Sequence, residues 1–296
     1  MSELIFKGVA TALVTPFDKE NKVEYGKLEE LIEYQISQGC DALLVGGPTG
    51  ECSTLTDDEL YKVVSFAAKT VNGRVPLIAG AGSNCTAKAA EECAAMEKAG
   101  ADALLVITPY YNKCNERGLF LHFKECAQKT GLPMIVYNVP SRTGVNVRPE
   151  AYAGLLKIKN VKAVKECSGL VEQSVRIKSL YRDEIAVYCG SDELTLPLLS
   201  AGAAGAVSVL SNPFPKVVHE LCARFFAGDI DRSIAIQQRF SKLIKLLFAD
   251  VNPIPIKTAM NLEGFSLGGF RLPLCEADGD LKEKLSAELK VLRAGN

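Results

Sequence analysis

The chain has 296 residues, 48% of them hydrophobic, and sets 34 Lys and Arg against 35 Asp and Glu for a net charge of −1. So even a charge balance argues against a nucleic-acid or membrane-surface partner. This much apolar material builds a large core with no disulfide or metal staple. A length prior of roughly 150 residues per domain suggests two domains, although α/β barrels of about 250 residues count as one. No run of about 18 apolar residues exists, and Met1-Ser2-Glu3-Leu4-Ile5-Phe6-Lys7 lacks a signal-peptide layout. A cytoplasmic protein is expected. The ten cysteines are scattered, with no C-x-x-C pair, and read as reduced, mostly buried thiols. Only two histidines, His122 and His219, are present. Both fall in helical patterns and read as structural side chains, so no metal site is expected.

Along the chain, short apolar runs alternate with longer amphipathic stretches. The runs cover residues 9–15, 42–45, 76–81, 103–108, 134–138, 161–167, 186–190 and 205–209. Most are continuous rather than alternating, as in strands buried on both faces of a parallel sheet. Helical patterns lie between them at 25–38, 57–71, 87–99, 116–130 and 149–156. In the first, Leu28, Leu31, Ile32 and Ile36 share a face. The second is opened by the capping signature Thr56-Asp57-Asp58-Glu59. Eight strands with intervening helices predict an α/β fold, a (β/α)8 TIM barrel. The alternative, an open doubly wound sheet, wants a dinucleotide fingerprint, and Gly80-Ala81-Gly82-Ser83-Asn84-Cys85 fails at the third glycine. After the eighth strand only helical patterns follow, at 215–226, 230–248, 254–262 and 280–292. The predicted division is therefore a catalytic barrel over 1–228 and a C-terminal helical appendage over 229–296.

In such a barrel, reactive groups come from the C-terminal ends of strands and the loops after them. Strand two delivers Gly46-Gly47-Pro48-Thr49-Gly50-Glu51, a turn suited to bringing N–H groups against an anion, except that Pro48 has none. Strand six ends in Val164-Lys165-Glu166-Cys167. Alternation puts Val161, Ala163 and Lys165 on one face. If that face is interior, Lys165 is a desolvated amine of lowered pKa, suited to Schiff-base chemistry. The competing reading is a lysine at a strand end, paired with a carboxylate. Tyr137, near the end of strand five, either shuttles protons for that amine or fills the barrel mouth. Two such groups at matching heights on neighbouring strands favour the chemical reading. Arg142 suits a substrate carboxylate or a surface ion pair. Gly190 and Gly205 either leave room for a small ligand or are turn glycines.

Together these residues form a pattern that resembles the dihydrodipicolinate synthase / N-acetylneuraminate lyase family of pyruvate-dependent class I aldolases. The resemblance runs nearly end to end. It passes through Gly8-Val9-Ala10-Thr11-Ala12-Leu13-Val14-Thr15-Pro16-Phe17, the loop at 46–51, Tyr110-Tyr111-Asn112, the segment 137–144 and Lys165-Glu166. It closes with Asn252-Pro253-Ile254-Pro255-Ile256-Lys257 and Arg271-Leu272-Pro273-Leu274. It implies a barrel with a C-terminal helical domain, assembled as a homotetramer of tight dimers. Lys165 matches the lysine that forms an imine with pyruvate, so no cofactor is expected, and Tyr137 matches the tyrosine that handles its protons. Pro48, Thr49 and Gly50 match the pyruvate-carboxylate loop, and Gly190 and Val207 further substrate-binding positions. Tyr111 matches a tyrosine that completes a neighbouring subunit's site.

Within the family, Tyr137-Asn138-Val139-Pro140-Ser141-Arg142-Thr143-Gly144 resembles the synthase branch, whose arginine binds the carboxylate of aspartate semialdehyde. The expected reaction is therefore condensation of pyruvate with aspartate semialdehyde, the entry to bacterial lysine biosynthesis. Pro48 departs from the synthases, which commonly carry a relay threonine there. The alternatives are accordingly an aldolase for a 2-keto-3-deoxy sugar acid or sialic acid, and a non-catalytic ligand-binding homologue. A second departure concerns regulation. Where lysine-inhibited members line an allosteric cleft with two histidines and a glutamate, this chain has Asp57, Leu60 and Lys88. Lys88 would repel an added lysine's amino groups, so weak or absent inhibition is expected.

Overall fold

The structure, a computed structural model, describes residues 4–294. Met1 to Glu3, the start of the segment read as lacking a leader, lie outside the described residues, as do the last two residues of the expected appendage. Eight strands form one closed barrel in sequence order: β1 (Gly8–Ala12), β2 (Ala42–Val45), β3 (Leu77–Ala81), β4 (Ala103–Ile107), β5 (Met134–Asn138), β6 (Val161–Glu166), β7 (Ala186–Cys189) and β8 (Gly205–Ser208). Every pair is parallel. The continuous apolar runs become strands because both faces are covered, by helices outside and by packed side chains inside. The inner cluster mixes small residues such as Ala10, Ala42 and Ala103 with Leu44, Ile78 and Ile135. Closure brings Gly205 against Gly8, where an added Cβ would lie 1.9 Å from the Gly8 carbonyl oxygen. Gly205 thus serves the seam at the start of β8 rather than leaving room for a ligand.

The helices are α1 (Tyr25–Ser37), α2 (Asp57–Val71), α3 (Thr86–Lys98), α4 (Glu116–Gln128), α5 (Pro140–Thr143), α6 (Tyr152–Leu155), α7 (Val171–Tyr181), α8 (Thr195–Ser200), α9 (Pro215–Phe226), α10 (Ile230–Leu247), α11 (Ile254–Leu262) and α12 (Gly279–Ala294). The capping box of α2 closes in both directions. The Glu59 N–H donates to Thr56 Oγ1 at 3.2 Å, and the Thr56 N–H donates to Glu59 Oε2 at 2.9 Å. Helices α5, α7 and α8 were not anticipated from the sequence. Helix α10 packs on α9 and on α12, and α11 packs on α12. His122 is buried in α4 with Nδ1 3.0 Å from Thr86 Oγ1, and His219 in α9 pairs with Asp41 at 2.9 Å. Both histidines therefore have local structural partners.

One local irregularity matters for the site. Between β5 and β6 the register runs Met134↔Val161 and then Ile135↔Ala163, skipping Lys162. Val161 therefore joins the outer hydrophobic cluster, not the face of Ala163 as strict alternation predicted. The bulge corrects that expectation without moving the lysine, because Ala163 still faces inward and Lys165 pairs directly with Tyr137.

Candidate active site

At the C-terminal end of the barrel a cavity of about 390 Å³ opens among the βα loops. Pro48, Thr49, Tyr137, Arg142, Lys165 and Gly190 all line it. Gly50 lines it as well. Sequence reasoning and geometry therefore converge on one space. Lys165 is only 5% exposed, at the end of β6. Burial is the main force on its amine and pushes the pKa below the usual lysine value. Cys167 and Asp192 oppose that shift, and Arg142 adds to it. Among the described residues no carboxylate holds the amine in a salt bridge, so the strand-end ion-pair reading gives way. The Lys165 Nζ stands over the Tyr137 ring, 4.5 Å from the centroid. Tyr137 is buried too, and desolvation raises its phenol well above the ordinary value, keeping it protonated.

The loop after β2 explains why a proline is tolerated. Pro48 occupies the first position of a one-turn 3-10 helix, Pro48–Gly50, where an N–H would have no intrahelical acceptor. Glu51 follows at φ 55° and sends its carboxylate away from the cavity to Lys257 of α11, 2.9 Å away. Thr49 accepts a hydrogen bond on Oγ1 from Asn252 Nδ2 at 3.0 Å. Arg142, on the single turn α5, donates to the Asn252 carbonyl at 3.1 Å. The segment between α10 and α11 thus bridges the two groups expected to meet carboxylates. Gly190 is needed for space. A Cβ there would fall 2.0 Å from Cys167 Sγ and 2.8 Å from Lys165 Cε.

Two expected residues do not line the cavity. Val207 sits within the barrel's inner cluster, and Val209, past the end of β8, lines the cavity in its place. Tyr111 is 90% exposed and has φ 64°. It stands on the loop after β4 and lines neither this cavity nor its neighbour. Three residues escaped the sequence reading. Cys167 follows Lys165 by two and lines the cavity, a placement strand alternation could have flagged. Asp192 is buried near Lys165, accepts the Val209 and Leu210 N–H groups at 2.9 Å each, and has its carboxyl pushed up by burial. Asn252 carried no signal beyond its motif.

Pro48, Tyr137 and Arg142 also form the wall of a second cavity of about 350 Å³, which Asp57, Leu60 and Lys88 help to line. Lys88 lies 3.3 Å from Asp57 and 3.9 Å from Glu92. Among the described residues, no helix is long and apolar enough to cross a membrane.

Comparison with known proteins agrees with this fold. The 4-hydroxy-tetrahydrodipicolinate synthase of Clostridium novyi (strain NT) is 44% identical over 286 residues, covering 97% of this chain and 96% of its own. That of Acetivibrio thermocellus is 45% identical over 290 residues, covering 98% of each. The crystal structure of dihydrodipicolinate synthase from Thermotoga maritima superposes with a TM-score of 0.95 at 42% identity, covering 98% of this chain and 99% of that one. Residues 5–292 match the dihydrodipicolinate synthetase family, and the chain belongs to that family.

Proposed function

We infer that this protein is a lyase that condenses pyruvate with aspartate semialdehyde, the 4-hydroxy-tetrahydrodipicolinate synthase reaction, through an imine on Lys165. The observation that carries the reading is the Lys165 amine, buried at the cavity floor, biased toward its neutral form and set against the Tyr137 phenol. The neutral amine attacks the pyruvate ketone, forming the N–C bond. Tyr137 stands where it can pass protons to the departing oxygen, which leaves as water. Loss of a methyl proton then gives the enamine, whose carbon attacks the aldehyde while the aldehyde oxygen takes up a proton. Attack of the semialdehyde's own amine on the imine carbon closes the ring and expels the Lys165 amine. Thr49 and Arg142, which both line the cavity, suit the two substrates' carboxylates. The imine acts as the electron sink, so the reading needs no metal or organic cofactor. The relatives described above carry the synthase name, and none supports the sugar-acid, sialic-acid or non-catalytic alternatives.

The finer parts of the reading are the multimeric state and the role of Tyr111. We place Tyr111 at a neighbouring subunit's cavity because a tyrosine this exposed has no evident task within its own protomer.

The test is reduction with borohydride in the presence of pyruvate, followed by peptide mass analysis and an assay with aspartate semialdehyde. A stable adduct on Lys165 and turnover with that aldehyde are expected. No adduct would defeat the imine mechanism. An adduct with turnover only on sugar-derived acceptors would defeat the choice of second substrate.

A further inference from the structure

The skipped Lys162 decides which residue Tyr137 faces. Had the ladder run on evenly from Met134↔Val161, Tyr137 would lie opposite Val164, and Lys165 opposite Asn138. The skip moves β6 on by one, so that Tyr137 meets Lys165 and Asn138 meets Glu166. A slip of one residue sends a strand's side chains to the other face. The inward position of the reactive amine therefore depends on the shifted register.

At the end of the two strands a carboxylate holds that register. Glu166 is 3% exposed and turns to α7 rather than to the cavity. Its Oε1 and Oε2 accept Asn138 Nδ2 at 3.2 and 3.0 Å. Oε2 also accepts Gln173 Nε2 at 2.8 Å, and Oε1 the Ser168 N–H at 2.6 Å. All three donors are neutral. Asn138 is itself fully buried and is fixed from its other side, where Oδ1 accepts the Val147 N–H at 3.0 Å. Just beyond the pair, the Cys167 N–H donates to the Asn138 carbonyl at 2.9 Å.

We propose that Glu166 is a positioning residue for the reaction: by binding Asn138 across the strands it fixes the shifted register that sets the Lys165 amine inside the barrel against Tyr137. Glu166 does not line the cavity and acts only through its neighbour. Burying a carboxylate among neutral donors costs stability compared with an apolar side chain, so packing alone does not account for it. A bulge beside a reactive residue is a known way of re-aiming a side chain. The titratable groups around the amine are Tyr137 of β5, Arg142 of α5, Cys167, and Cys189 and Asp192 on and after β7. All of them stay intact in the test.

The inference rests on the imine reading above, and the first measurement separates the two. Unmodified protein is trapped with pyruvate and borohydride over a range of pH. No adduct on Lys165 would remove the imine reading, and with it the amine to be positioned. Given the adduct, Glu166→Gln replaces one acceptor oxygen by an amide nitrogen facing donors. The midpoint of trapping against pH should then rise by about one unit toward the exposed-lysine value, because a loosened register admits water to the amine. Trapping near pH 8 should slow about tenfold accordingly. Loss of a negative charge alone would act the other way, disfavouring the ammonium and moving the midpoint down. Leu285→Ala, on the buried face of α12, controls for lowered stability. It should melt earlier and keep the parent's midpoint; an equal rise there would overturn the proposal. Adding Asn138→Asp to Glu166→Gln exchanges donor and acceptor within the same pair and should recover at least about half of the shift. No recovery would overturn the role of the pair. A midpoint that stays or falls in Glu166→Gln, with Lys165 still labelled, would overturn the proposal and leave the imine reading standing. If that variant does not fold, Asn138→Ala decides, since it removes the cross-strand donor and keeps the carboxylate: a raised midpoint supports the role and an unchanged one overturns it.

Discussion

Burial, more than any neighbouring charge, is what pulls the Lys165 amine toward its neutral form. The sign of the pH dependence follows directly. An amine whose pKa lies below the usual lysine value becomes neutral at lower pH than an exposed lysine. Trapping of pyruvate should therefore rise with pH through a midpoint below 10.5, the ordinary value. A midpoint at or above that value in rate-against-pH data would mean that the amine is solvated. Tyr137→Phe keeps the ring and removes the proton carrier, so adduct formation and turnover should both fall by about 10²–10³-fold. Pyruvate binding measured by titration should change little. Lys165 was legible in the sequence because a charged residue inside an apolar strand is out of place. For Cys167 alternation gives the face but not the neighbours, because a thiol in a strand looks like any small hydrophobe until what lies across the barrel is known.

The elements meet at a buried ion pair. Lys257 of α11 is fully buried, 2.9 Å from Glu51 and 4.1 Å from the Phe17 ring centroid, and Glu51 also accepts the Arg271 N–H at 3.3 Å. Glu51 immediately follows the loop that carries Thr49. The pair therefore ties the C-terminal helices to the substrate loop. Lys257→Met leaves a buried carboxylate without its cation and should cost about 3–5 kcal/mol in urea unfolding. It should also raise KM for pyruvate. Adding Glu51→Gln should recover part of the stability but not the KM, since the loop anchor stays lost. Full recovery of both would mean that the pair has no positioning role. All eight strands could be read from apolar runs and the long amphipathic helices from periodicity, whereas α7 could not. Its buried residues are Gln173, Ser174 and Ile177, while Val175 and Leu180 face solvent at 50% and 38% exposure. A helix whose packed face is polar shows no apolar stripe to find. The polar face exists because Gln173 donates to Glu166 of β6 at 2.8 Å and to the Val147 carbonyl at 3.3 Å.

In the whole molecule two cavities share one wall, and what lies beyond that wall bears on regulation and assembly. In the second cavity Lys88 already has Asp57 and Glu92 as partners, so an incoming amino group meets carboxylates that are occupied and a cation that repels it. Turnover should consequently be unaffected by submillimolar lysine, and a clear drop in a lysine titration would overturn this. Assembly is tested through Tyr111. Its exposure of 90% is unusual for so large a ring, and its φ of 64° strains a non-glycine backbone. Both features fit a side chain presented to another copy of the chain. If Tyr111 works in a neighbour's cavity, Tyr111→Phe alone should lose activity by about tenfold or more, and Lys165→Ala alone should be inactive. Mixed in equal amounts and allowed to exchange subunits, the two variants form hybrids with one intact site, Lys165 from one chain and Tyr111 from the other. Random pairing within a symmetric dimer makes about a quarter of all sites intact, so roughly that share of activity should return. Recovery that stays at the sum of the separate variants, with subunit exchange confirmed by mass, would place Tyr111 outside the neighbour's chemistry.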